Sequence, residues 1–167
     1  MTIEQITTST TQTTARVVEH AVSRLSRWLA SHSIGILRVS LGLVFLGFGV
    51  LKFFPGVSPA EDLAVRTIET LTLGVVSGGM ALLMTAITEC FIGITFVTGR
   101  FLKAGLVVLA GSLVGIMSPM VLFFSDLFPG APTIEGQYVF KDIVLAAAGL
   151  VVAAKALGAR FVPEEKE

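Results

Sequence analysis

Charge is the first scarcity in this chain. Of its 167 residues only 14% are Asp, Glu, Lys or Arg, against 53% hydrophobic, and the mean hydropathy is +0.85. A soluble domain draws about a quarter of its residues from the charged types, so this composition does not suit a surface that faces water all round. Lys and Arg number 12 and Asp and Glu 12, which leaves no net charge. Without a basic stripe, nucleic-acid binding is not expected. Cysteine is nearly absent too: Cys90 alone excludes an intramolecular disulfide and a cysteine-pair redox centre. The two histidines, His20 and His32, precede the first long apolar run, so no Cys/His cluster has metal-ligand spacing and no metal site is expected. No haem ligand or flavin fingerprint stands out, so the chain itself is expected to carry no cofactor.

What the chain has in abundance is apolar runs. A helix needs about 20 mainly apolar residues to cross the hydrocarbon core. Four segments qualify, at 34–54, 78–98, 102–124 and 138–157. In lipid the backbone must satisfy its own hydrogen bonds, so the expected class is all-α, a four-transmembrane-helix bundle at residues 33–158. Direction follows from the positive charges. Arg16, Arg24 and Arg27 precede the first run, Arg100 and Lys103 sit in the turn after the second, and Lys155, Arg160 and Lys166 close the chain. The other side has Lys52, Arg66 and Lys141, and its last loop has Asp126 and Glu135 without Lys or Arg. This bias predicts an N-in/C-in topology with both termini cytoplasmic.

The flanks divide further. Residues 1–14 are polar, with a Thr-rich stretch at 7–14, and are expected to be disordered. At 15–32, Val18, Ala21, Val22, Leu25, Trp28 and Leu29 recur at helical spacing opposite Arg16, Glu19, Arg24 and Arg27. This predicts an amphipathic helix lying on the cytoplasmic membrane surface. In the first outer loop, Ser58-Pro59-Ala60-Glu61 reads as an N-cap, a first-turn proline and a third-position acid. Ala60, Leu63, Ala64, Ile68 and Leu71 follow as a stripe, so a short interfacial helix should cover the outer mouth of the bundle. Residues 159–167 are expected to form a cytoplasmic tail.

Ionisable groups within lipid cost at least about 2.5–3.5 kcal/mol at the centre of a span, so they normally face the bundle interior and find partners. Arg38, Lys52, Glu89, Lys141 and Asp142 are the candidates. Arg38, Gly42, Phe45, Gly49 and Lys52 share one helix face, where another helix or a flat ligand can approach the glycines closely. At about 1.5 Å rise per residue, Arg38 and Glu89 should differ in depth by roughly 7 Å and Lys52 and Asp142 by about 3 Å. Two pairs are therefore expected, Arg38–Glu89 within the membrane and Lys52–Asp142 near the outer mouth, while Lys141 snorkels to the interface. Two roles remain open for these charges: pairs that fix helix register, or a working site in which Glu89 changes protonation.

Weaker signals complete the inventory. Gly111 and Gly115 form a G-x-x-x-G helix-contact motif on the third run, and Pro119 should kink its outer end. Met117 and Met120 are candidates for a pliable pocket or for packing. Cys90, in apolar surroundings, is read as inert rather than oxidant-sensitive. Phe53, Phe54, Phe123, Phe124 and Phe128 gather toward the outer end as interfacial anchors.

Several ordered blocks carry a resemblance. Leu37-Arg38-Val39-Ser40 with Phe45, and Gly49-Val50-Leu51-Lys52-Phe53-Phe54-Pro55, are joined by Glu89-Cys90-Phe91-Ile92-Gly93, Ser118-Pro119 and Gly136-Gln137-Tyr138-Val139-Phe140-Lys141-Asp142. Together they resemble the DoxX-like membrane proteins, and within them the YkgB branch that includes the reactive-chlorine-resistance membrane protein C. The outer loop here is shorter than in those proteins. The resemblance implies a four-helix membrane bundle of the bacterial cytoplasmic membrane, with Arg38, Lys52, Glu89, Lys141 and Asp142 at family positions. Relatives include a subunit of a thiosulfate:quinone oxidoreductase and proteins tied to oxidant resistance.

Three functions follow as expectations. The first is a redox- or oxidative-stress-linked membrane component that binds a quinone or similar lipophilic molecule within the bundle; its electrons would come from a partner, and it would not be a stand-alone enzyme. The second is a non-catalytic scaffold within a homo-oligomer or larger membrane complex. The third is a small-molecule transporter with the charges lining its path.

Overall fold

The computed structural model describes residues 3–58 and 60–160, with side chains from Arg16 onward. These residues hold seven helices and no strand: α1 (Ile3–Leu51), α2 (Glu61–Leu71), α3 (Gly78–Thr98), α4 (Leu102–Met117), α5 (Pro119–Leu122), α6 (Phe124–Leu127) and α7 (Ile134–Ala156). Three stretches are long and apolar enough to cross a membrane: Arg16–Leu51, Gly78–Thr98 and Leu102–Leu122. α7 has the length, at 23 residues, but Lys141, Asp142 and Lys155 interrupt its apolar sequence.

The chain divides into two compact units, Met1–Ile36 and Leu37–Glu167. The first is helical from Ile3 onward, through most of the 1–14 stretch expected from its composition to be disordered. Once a helix is nucleated downstream, each added residue gains a hydrogen bond, and threonine opposes this only weakly. Nor does the helix stop near residue 33, where two separate helices were expected. No proline occurs before Pro55, and no cap interrupts the backbone. From Arg16 to Ile36 the side chains are exposed apart from a half-buried Ile34, and Trp28 stacks on His32 with ring centroids 5.1 Å apart.

In the second unit each helix end has a local cause. α3 stops at Gly99, whose φ of +71° is a left-handed conformation that glycine adopts freely. Three residues later α4 begins, so α3 and α4 form a tight hairpin. The third span, expected to run to 124 with a kink at Pro119, is interrupted at Ser118 and ends at Leu122. Pro119 has no N–H to give the Gly115 carbonyl, and Ser118 Oγ donates to that oxygen instead, at 2.8 Å. α7 starts before the predicted 138, because Thr133 Oγ1 accepts from the Gly136 N–H at 3.0 Å and caps the helix there.

α2 occupies the expected place, but its start differs. Its N-cap is Ala60, without a side-chain bond, and the Ser58 hydroxyl predicted for that role is buried with no partner among the described residues. Glu61 instead turns its carboxylate back to accept the Gly56 N–H at 2.7 Å. The predicted first-turn proline, Pro59, lies outside the described residues, as do residues 161–167 of the expected tail. At the far end of α2, Glu69 accepts the Gly78 N–H at 3.0 Å, so one helix supplies the acid for the next helix's positive end.

The interior of this unit has two parts. Leu41 and Phe45 of α1, Ile92 and Phe96 of α3, Leu109 of α4 and Val152 of α7 form one cluster. Leu63 of α2, Phe123, Leu127 and Val139 form another. Between helices in lipid, close packing rather than release of water supplies the attraction.

Candidate functional site

The α1 face foreseen from sequence packs on α3, and glycines set its register. A Cβ on Gly42 would stand 2.8 Å from the Val97 nitrogen, and one on Gly49 would stand 2.9 Å from the Cys90 nitrogen. The approach is reciprocal at Gly93, a position the sequence reading passed over: a Cβ there would lie 2.6 Å from the Leu46 nitrogen. The helices run antiparallel with Gly42 beside Val97, Leu46 beside Gly93 and Gly49 beside Cys90.

That register overturns both expected ion pairs. The Arg38 guanidinium lies against Gly99, ten residues and so about 15 Å along the helix from Glu89 at 1.5 Å per residue, about twice the expected offset. Its guanidinium donates instead to the Phe96 carbonyl and, at 3.4 Å, to the Val97 carbonyl. The last carbonyls of a helix have no intrahelical donor and carry the negative end of its dipole, so Arg38 closes α3 from the neighbouring helix.

Lys52 takes the partner assigned to Arg38. It follows directly after α1, and its Nζ lies 2.7 Å from Glu89 Oε2, with the two side chains only 5% and 11% exposed. The Phe48 ring lies on its other side, 5.8 Å from Nζ to the ring centroid. Asp142 makes no ion pair with Lys52 and has no hydrogen-bond partner among the described residues.

Lys52, Glu89 and Asp142 nonetheless meet on one surface, the wall of a cavity of about 340 Å³. α1 contributes Phe45, Phe48 and, just beyond its end, Lys52. α3 contributes Thr85, Thr88 and Glu89, and α4 contributes Ser112, Gly115 and Ile116. Tyr138, Val139 and Asp142 come from α7, and Ala60, Leu63, Ala64, Thr67 and Ile68 from the α2 region cover the remaining side. The volume lies in the range of small-molecule sites, and the lining is mainly apolar with a few convergent polar groups.

The remaining candidates lie elsewhere. Lys141 is exposed, with Nζ 4.0 Å from the Tyr138 ring centroid. Met117 and Met120 do not line the cavity, and Met120 packs against the Leu63–Phe123 cluster. Cys90 faces the glycine seam at Gly49. The Gly111–Gly115 motif makes no helix contact here, since a Cβ at either position would meet nothing within 4 Å. The α4 surface at Gly111 faces outward, while Gly115 leaves space to the cavity. Tyr138 and Phe48 went unremarked as site residues, although their rings meet edge to face at 6.3 Å. Spacing held a clue: Tyr138 stands one helical turn before Asp142 and therefore shares its face.

Compared with known protein families, with characterised proteins and with solved structures, the chain finds no match in any of the three.

Proposed function

We propose that the chain is a DoxX-like, redox- or oxidative-stress-linked component of the bacterial cytoplasmic membrane, and that its cavity holds a quinone or similar lipophilic molecule. The observation that carries this reading is the placement of a buried Lys52–Glu89 pair and an Asp142 unpaired among the described residues on the wall of a mainly apolar cavity. A pair needed only for register gains nothing from a void beside it, because unfilled space forfeits packing contacts. An apolar molecule with a polar head would fill that space and meet the charged groups. The chain acts without a cofactor of its own, so electrons come from a partner subunit.

In this reading α7 is a fourth crossing, its charged residues tolerated because Asp142 turns to the cavity and Lys141 lies over Tyr138. Both termini are cytoplasmic. What supports this orientation is the count of Lys and Arg, with Arg16, Arg24, Arg27, Arg100, Lys103, Lys155 and Arg160 on one side against Lys52, Arg66 and Lys141 on the other.

A scaffold role is favoured by one separate observation: Gly111 is open and flanked on its helix by Val107 and Val114, 73% and 70% exposed. Native mass spectrometry of gently extracted protein distinguishes the two. A copurifying lipophilic molecule lost on Gly115→Leu, which fills the cavity, supports the ligand reading. Partner subunits with no such molecule in either protein would replace it with the scaffold.

A further inference from the structure

The cavity wall carries two carboxylates, Glu89 and Asp142, against one ammonium, Lys52. That ammonium is engaged by Glu89 Oε2 at 2.7 Å. The other cation near Asp142 in sequence, Lys141, lies over the Tyr138 ring and outside the cavity. Asp142 is therefore a half-buried carboxylate with neither a direct ion pair nor a hydrogen-bond donor among the described residues. Glu89 Oε1 likewise has no donor among them.

The hydroxyls on the wall deepen this imbalance. Thr67 Oγ1 donates to the Leu63 carbonyl at 2.6 Å, Thr85 Oγ1 to Ala81 at 2.9 Å and Thr88 Oγ1 to Met84 at 2.8 Å. Each has spent its only proton on its own helix and offers lone pairs alone to the space beside it. Lys52 has spent one of its three protons on Glu89, and Ser112 and Tyr138 can both donate and accept, so free donors are present on the wall. Acceptor sites still outnumber them, and Asp142 is the one carboxylate to which no donor is bonded among the described residues. Phe45, Phe48 and Tyr138 add aromatic surface, which suits a flat ring or a cationic head.

We infer that this cavity selects a lipophilic molecule whose polar head donates hydrogen bonds, an aromatic hydroxyl or an ammonium, with Asp142 as the acceptor. The inference rests on the reading of the cavity as a ligand site and names the chemistry of the head that site takes. A head that only accepts, such as a carbonyl or an ether, leaves Asp142 without a partner. Of a quinone couple, the hydroxyl-bearing form is the one retained.

Tyr138 is the only tyrosine in the chain and stands on the cavity wall, so 3-fluorotyrosine gives a single fluorine resonance that reports on this site. The protein in phosphatidylcholine nanodiscs is titrated with 4-butylphenol, 4-butylbenzylammonium and 4-butylanisole, which share a body and differ in the head. A hydrogen bond to a charged acceptor contributes about 1.5–3 kcal/mol, so a donor head should bind about tenfold or more tighter than the anisole. Asp142→Asn should remove that preference while leaving the anisole affinity in place, which also shows that the cavity has kept its shape. The phenol and ammonium arms tell whether the head works as a hydroxyl or as a cation.

Equal binding of all three probes would overturn the donor preference and leave the ligand site standing. A preference that survives Asp142→Asn would overturn the assignment to Asp142. A resonance unmoved by every probe, in the wild type as in Gly115→Leu, would overturn the ligand site itself.

Discussion

Arg38 and Lys52 mark the two ends of one face of the second unit's α1 segment, and they solve the problem of a charge near lipid in different ways. At the Arg38 end the helices touch backbone to backbone through Gly42 and Gly93, and the cation finds peptide carbonyls at the end of α3. At the Lys52 end they still touch through Gly49 and Cys90, but a cavity opens beside the seam, and the cation finds a side-chain carboxylate. Carbonyls are neutral dipoles that a helix end must satisfy anyway. A carboxylate within a membrane span has no such structural necessity. The first arrangement fastens two helices; the second places charge where something else can reach it.

Removing each cation tests this contrast, and the larger effect belongs to Lys52. Lys52→Ala strands the Glu89 carboxylate in a buried position, and losing one partner of a buried pair costs about 3–5 kcal/mol. Unfolding in mixed micelles, followed by circular dichroism, measures the loss. The double variant Lys52→Met with Glu89→Met should recover most of it, since an apolar replacement of both partners leaves no orphan charge. A neutral Lys52→Ala would mean that Glu89 does not depend on its cation, and the two ends would no longer differ in kind.

The sequence carried much of this arrangement but not its pairing. Helical class, the α3 bounds, the short α2 and the α1 face with Arg38, Gly42, Gly49 and Lys52 could all be read from spacing and composition. The pairing could not, because it depends on how far one helix slides along another. Here the slide is set by Gly93 against Leu46, a contact with no signature in local sequence. Depth counted from the rise per residue, without that contact, moved Arg38 toward Glu89 and left Lys52 to Asp142. The Gly111–Gly115 spacing misled for a related reason: it says that a close neighbour fits, not that one is there. The cavity was hidden because its walls come from helices distant in the chain.

Arg38→Ala should have a smaller effect than Lys52→Ala, although a guanidinium looks the stronger anchor. It removes charge-assisted hydrogen bonds of about 1.5–3 kcal/mol in total and leaves behind carbonyls rather than a charge. Arg38 is only half-buried, so water can reach the vacated end of α3 and the loss should fall toward the lower figure. The same unfolding measurement checks the order. A cost equal to that of Lys52→Ala would show that satisfying the helix end matters as much as neutralising Glu89.

The smallest effect is expected at Gly111, where the absence of a neighbour becomes measurable. Alanine has room there and is the better helix former by about 1 kcal/mol, so Gly111→Ala should leave stability unchanged or raise it by up to that amount. This sets an outward-facing glycine against the seam glycines, where an added Cβ meets backbone that cannot move aside. The result also bears on whether the chain assembles. A second helix seated on this face, from another copy or a partner, would be displaced by the added methyl. Loss of stability or of an oligomer on Gly111→Ala, read by unfolding and by native mass spectrometry, would therefore reveal a contact that the single chain does not make.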